Sequence, residues 1–152
     1  MTNFNTSGAI SSELTTRLRS ILLTNGCETN IGRDLMLGSR KIPGDDRPPC
    51  IILIEGNDDP IDTPGRIPMV VISQNYMIDA FDVCDPDNPN TKALAMIRDI
   101  KRAIFKTDAT LGGAVKKVSY LGRDIGPRPD GVAMVQARVM ISVEFVEDLT
   151  NP

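Results

Sequence analysis

The chain has 152 residues, 41% of them hydrophobic and 4% aromatic, with a formal net charge of −3 and no histidine. That length and apolar content fit one domain with its own buried core, and they exclude disordered and collagen-like classes. Without histidine, Ser-His-Asp and Cys-His catalysis and histidine-ligated metal sites are excluded as well.

The chain starts with a polar lead, residues 1–7, which is expected to be flexible and has neither a basic region nor an apolar signal core. Beyond it, Ile10, Leu14, Leu18, Ile21 and Leu22 fall at helical spacing, with Ser11 or Ser12 as N-cap and Gly26 as the stop. Residues 27–50 are broken by Gly32, Gly38, Gly44 and three prolines before Cys50, and read as a hairpin or extended arm. The run CIILIEG that follows is rich in β-branched residues and predicts a central strand covered on both faces. NDDPIDTPGRIP then reads as a turn-rich loop. MVVISQNYMIDAFDVCD resumes extended structure, with Val70, Ile72, Tyr76, Ile78 and Ala80 on one face and Gln74 interrupting it.

Helical period returns in PDNPNTKALAMIRDIKRAIF. Asn90 or Thr91 is the expected cap, Ala93, Ile97, Ile100, Ile104 and Phe105 line the apolar side, and basic residues line the other. AVKKVSYLGRDIG, a turn at PRPDG and a final long strand predict a closing hairpin. In that last strand Ala133, Val135, Ala137, Val139, Ile141, Val143 and Phe145 form one unbroken apolar row, while Met134, Gln136, Arg138, Met140, Ser142 and Glu144 form a mixed one. Residues 149–152 are expected to be a flexible end. The predicted class is α+β, a single domain over residues 1–152 with a mostly antiparallel sheet and two amphipathic helices on one face.

Little in the chain points to chemistry. Cys27, Cys50 and Cys84 are an odd, widely spaced set that reads as reduced, partly buried thiols. LGGAVKK and GSRKIPG match neither the Walker spacing nor a dinucleotide turn. Asp85, Asp87 and Asn88 resemble the opening of a calcium loop, but Pro89 takes the next ligand position, and Asp58, Asp59 and Asp62 read as a solvated loop. No cofactor and no enzymatic activity are expected. Nor is sequence-specific nucleic-acid binding, because aromatics are scarce and only residues 92–117 carry a basic excess. The apolar runs CIILI and PMVVI are too short to span a bilayer, so no membrane association is expected.

Charge is segregated along the chain. Residues 45–87 hold ten acidic side chains against Arg47 and Arg66, whereas residues 92–117 hold seven basic ones against Asp99 and Asp108. Charge polarised in this way fits a subunit that stacks or rings up head to tail, and it fits ordinary solvated faces equally well.

The opening helix, RPPCIILIEG entering the first core strand, the ALAMIRDIKRAIF helix and the final ARVMISVEFVED strand together resemble the tail terminator and tail-completion proteins of long-tailed bacteriophages and related contractile particles. The likeness spans about residues 8–148 and is one of element order. It implies a virion protein, made in the host cytoplasm, that forms a homo-hexameric ring at the head-tail junction. Such a ring caps the tail tube, ends its polymerisation and binds a neck or connector protein, with DNA passing through its lumen. On this chain the resemblance makes residues 32–49 the candidate arm, with Arg40, Lys41, Asp45, Asp46 and Arg47 as its charged contacts, and residues 57–68 a second loop. Lys101 and Arg102 on the basic helix, and Met134, Gln136, Arg138, Met140 and Glu144 on the final strand, complete the expected assembly interface. A neck or head-tail connector subunit is the alternative, and a small host enzyme or ligand-binding domain the more distant one.

Overall fold

The structure, a computed structural model, describes residues 6–38, 47–62, 68–126 and 133–152. In chain order it contains α1 (Thr6–Arg19), two 3-10 turns (Leu23–Asn25 and Ile31–Arg33), β1 (Leu35–Leu37), β2 (Cys50–Asp62), β3 (Met69–Val83), α2 (Pro89–Phe105), β4 (Lys117–Ile125) and β5 (Met134–Asp148). The strands form one mixed sheet in the order β1-β2-β3-β5-β4. β1 runs parallel to β2, and every other neighbouring pair is antiparallel. The α+β class holds. No helix among the described residues is long and apolar enough to cross a membrane.

Both helices lie on one face of the sheet, as their periodicity predicts. Ile10, Leu14 and Leu18 of α1 and Ala93, Met96, Ile97, Ile100 and Ile104 of α2 join a single core with Ile51, Leu53, Ile72, Tyr76, Ile78 and alternate residues of β5. Val135, Ala137, Val139, Ile141, Val143 and Phe145 are all buried there, so the apolar row of β5 is the floor under the helices. Only Ala133, one residue before the strand, is exposed.

Several boundaries differ from expectation. α1 begins at Thr6, which takes in Ser7 and places Ser11 and Ser12 inside the helix. Gly26 ends the Leu23–Asn25 turn instead of α1, with the left-handed φ of 83° that glycine adopts freely. α2 starts at Pro89 with Asn88 in the cap position, two residues before the expected Asn90, because proline at the first helical position has a suitable φ and needs no amide partner. Asp85 accepts the Asp87 amide at 3.0 Å, so DPDNPN is a turn that launches α2. At the other end of the chain, the Asp148 carboxylate accepts the Thr150 amide and hydroxyl, and Leu149 donates to the Pro68 carbonyl.

Part of the candidate arm and part of the expected second loop are strand. Residues 32–38 of the candidate arm lie in a 3-10 turn and β1, with the Gly38 amide bonded to Leu53 and the Ile51 amide to Asp34. Gly32 is pressed against the end of α1: its amide donates to Ile21 at 3.0 Å, and an added Cβ would overlap the carbonyl oxygens of Leu18, Arg19 and Ile21. Likewise, 57–62 continues β2 past register shifts after Glu55 and Pro60, because Asp58 to Pro60 still pair with Gln74 to Ile72. Proline and charge in that segment favour a loop from composition alone, yet both are tolerated on a sheet edge.

Candidate functional site

The mixed row of β5 faces away from the helices and, with the same face of β2, β3 and β4, forms the broad surface of the molecule without helical cover. Register fixes its rows. Ile52, Asp79, Arg138 and Asp124 lie side by side across β2, β3, β5 and β4, followed by Ile54, Met77, Met140 and Gly122. Asp59, Ser73, Glu144 and Lys117 form a further row.

This face has three zones. At one end Cys50, Ile52, Ile54 and Phe81 are buried, with Met36 and Met77 packed on them. The covering expected on both faces of β2 is thus present, and the second face carries a small apolar core of its own, which the mixed row of β5 alone does not reveal. Burial pushes the Cys50 thiol up to about 11, and Asp34 adds to the shift. All three cysteines are free, with Cys27 and Cys84 half-buried.

In the middle lies the Arg138–Asp79 pair. The guanidinium donates twice, at 2.7 and 2.9 Å, to a carboxylate that is 4% exposed as a residue. Those hydrogen bonds raise the Arg138 pKa further, against the opposing effect of burial. Next to it Met77, Met140, Leu121, Gly56, Asn57, Asn75 and Tyr76 line a shallow depression of about 230 Å³. Leu121 is 52% exposed there, at the register shift between Tyr120 and Gly122. At the far end Lys117 reaches Glu144 at 3.6 Å.

The expected interface residues thus divide. Met134, Gln136, Arg138, Met140 and Glu144 do share one half-buried face. Arg138 and Glu144, however, are partnered within the chain and act in the fold. Lys101 and Arg102 lie on the helical side: Lys101 sits 4.5 Å from the centre of the Tyr120 ring, and Arg102 reaches Glu28 at 3.3 Å. Arg47 pairs with Asp34 at 2.9 Å. Arg40, Lys41, Asp45 and Asp46 lie outside the described residues.

Three internal clamps have no counterpart in the sequence pattern. Asp99 of α2 is buried and accepts the Thr29 hydroxyl at 2.7 Å and the Glu28 amide at 3.1 Å. Glu28 in turn takes two bonds from Arg98, at 2.8 and 2.9 Å, which together with Arg102 lower its carboxyl pKa. Arg17 of α1 donates to the carbonyls of Ile104 and Asp108 at 2.8 and 2.6 Å, capping the end of α2. Sequence offers no signal for these partners, because each pair is 70 or more residues apart.

Among the described residues, no group of three or more histidine, cysteine or carboxylate side chains is arranged to hold a metal ion. The chain matches no protein-family model and has no significant match among curated proteins.

Proposed function

We propose that this chain is the subunit of a closed ring, similar to a phage tail terminator, that caps the tail tube, ends its polymerisation and joins the tail to the head or neck. One observation carries the reading: both helices cover the same face of the sheet, and the opposite face, beyond its buried apolar cluster at one end, is left half-buried and mixed in character. Met140, Met77 and Leu121 give that face more apolar surface than a solvated sheet calls for, and a neighbouring subunit or tube would cover it.

The mechanism is geometric. One side of the ring matches the end of the tube, and the other offers no copy of that end, so growth stops there. A net charge of −3 suits a conduit for DNA, since few basic groups in the lumen mean few phosphates neutralised and little retention. Its partners in this reading are further copies of itself, the tube protein and a neck or connector protein.

The test is to add the purified protein to polymerising tube protein and measure tube length by electron microscopy. The reading expects shorter tubes with one end capped. Unchanged lengths and uncapped ends contradict it, and binding to a neck protein without any effect on tubes would make the chain a connector subunit instead. Met140→Asp, on the uncovered face, is expected to abolish capping while leaving the subunit folded.

A further inference from the structure

Among the described residues, both edges of the sheet are unpaired over much of their length, and they carry opposite charge. Past Gly38, which donates to Leu53, no described residue pairs with the outer side of β2, where Glu55, Asp58 and Asp59 are exposed. Leu53 accepts a bond from Gly38, and Ile51 donates one to Asp34, on that outer side, so Glu55, two residues on, presents its own amide and carbonyl there. On the opposite edge β4 pairs only with β5, and Lys116 and Lys117 are exposed at its start. None of Glu55, Asp58, Asp59 and Lys116 forms an ion pair with a described residue; Lys117 has Glu144 at 3.6 Å.

We infer that β4 of one copy pairs with the acidic half of β2 of the next, so that the sheet continues from subunit to subunit. This rests on the ring proposed above and supplies its contact. Strand direction agrees: β2, β3, β5 and β4 alternate, so a rotation about an axis along the strands brings β4 against the next β2 in antiparallel orientation. Height agrees too. Through Ser73 and Glu144, Asp59 is level with Lys117, and through Tyr76 and Ile141, Glu55 is level with Tyr120. A neighbour at the same height therefore sets Lys117 directly opposite Asp59, with Lys116 and Asp58 one residue to either side of that pair, opposite Pro60 and Val118.

The same charges do not favour the competing assemblies. β2 against β2 over its open half sets carboxylates together, so that two-fold dimer is penalised, whereas antiparallel β4 against β4 sets Lys117 opposite Ile125 and gains no charge pairing; head-to-tail pairing alone joins opposite charges. A heterologous contact that repeats under rotation closes into a ring.

Charge reversal on one edge at a time tests this. Asp58→Lys/Asp59→Lys gives a chain with two basic edges, and Lys116→Glu/Lys117→Glu one with two acidic edges. Each alone is expected to raise the concentration needed for rings at least about tenfold in native mass spectrometry, from the cost of like charges brought together. Mixed in equal amounts, the two are expected to recover rings with the chains alternating. Thermal melts check folding, and Lys116→Glu alone keeps the Lys117–Glu144 pair and is expected to weaken rings in the same direction. Rings that persist in both single-edge variants overturn edge pairing and leave the ring intact as a proposal, as does a loss that mixing does not restore. A wild-type chain that stays monomeric at every concentration, with and without tube protein, overturns both.

Discussion

Arg138 stands between two accounts of the uncovered face, one in which it meets a neighbouring subunit and one in which it neutralises Asp79. Arg138→Met keeps the aliphatic stem and removes the charge, leaving the Asp79 side chain, 6% exposed, without the guanidinium that now bonds both of its oxygens. Breaking a fully buried pair costs about 3–5 kcal/mol, but the Arg138 side chain is 35% exposed and water reaches its rim, so a loss of about 2 kcal/mol is expected. With a urea slope of roughly 2 kcal/mol per molar, the unfolding midpoint falls by about 1 M. Because Ile52 flanks Asp79 in the same row, the double variant Asp79→Leu/Arg138→Met replaces the pair with apolar groups and is expected to recover most of that loss. Equilibrium urea unfolding of the four chains gives the coupling energy directly. A midpoint for Arg138→Met within about 0.3 M of wild type, or a coupling near zero, would refute the argument and return Arg138 to the surface as an assembly residue. Arg138→Glu, which sets two carboxylates side by side, is likewise expected to damage the fold before it reports on assembly.

Gly32→Ala pushes a methyl group into three carbonyl oxygens at the end of α1 and is expected to cost about 2–3 kcal/mol in thermal unfolding, whereas Gly38→Ala meets no atom within 4 Å and costs only its left-handed φ of 71°. Arg17→Met uncaps the end of α2 and is expected to cost about 1.5–3 kcal/mol, with faster amide exchange in the last turn of that helix. Arg98 and Arg102 lower the folded pKa of Glu28 below its ordinary 4.5, so this contribution to stability is complete above that pH and lost as pH falls through the lowered value. Glu28→Gln is therefore expected to flatten the acid limb of a stability–pH curve and leave its neutral plateau level with pH. In native protein at pH 8, a thiol reagent is expected to label Cys27 and Cys84 before Cys50, whose thiol stays protonated in the apolar cluster of β2; equal rates would contradict that burial.

Periodicity made much of the fold legible. The apolar stripes of α1 and α2, the row Val70, Ile72, Tyr76, Ile78 and Ala80, and the alternation of β5 all reappear as one core, because burial on one side of a regular element repeats with its period. Residues 57–62 look like a loop from composition because Asp, Pro and Asn are turn formers in isolation, whereas on an outer strand their charge and missing amide cost little. The second apolar cluster was hidden for a different reason: Cys50, Ile52, Ile54 and Phe81 belong to two strands whose register a linear pattern does not supply. The same gap concealed the pairing of Asp79 with Arg138, two charges each visible on a polar row and 59 residues apart. The uncovered face was legible as a surface of mixed character, while the two oppositely charged edges emerged only once the strand order was known.

Native mass spectrometry of the wild-type chain, across concentration and with tube protein added, bears most directly on the central claim. The account predicts a closed ring near six times the 16.6 kDa subunit mass, sensitive to salt as expected for oppositely charged edges. A monomer under all of these conditions, or a two-fold dimer as the largest species, would contradict it.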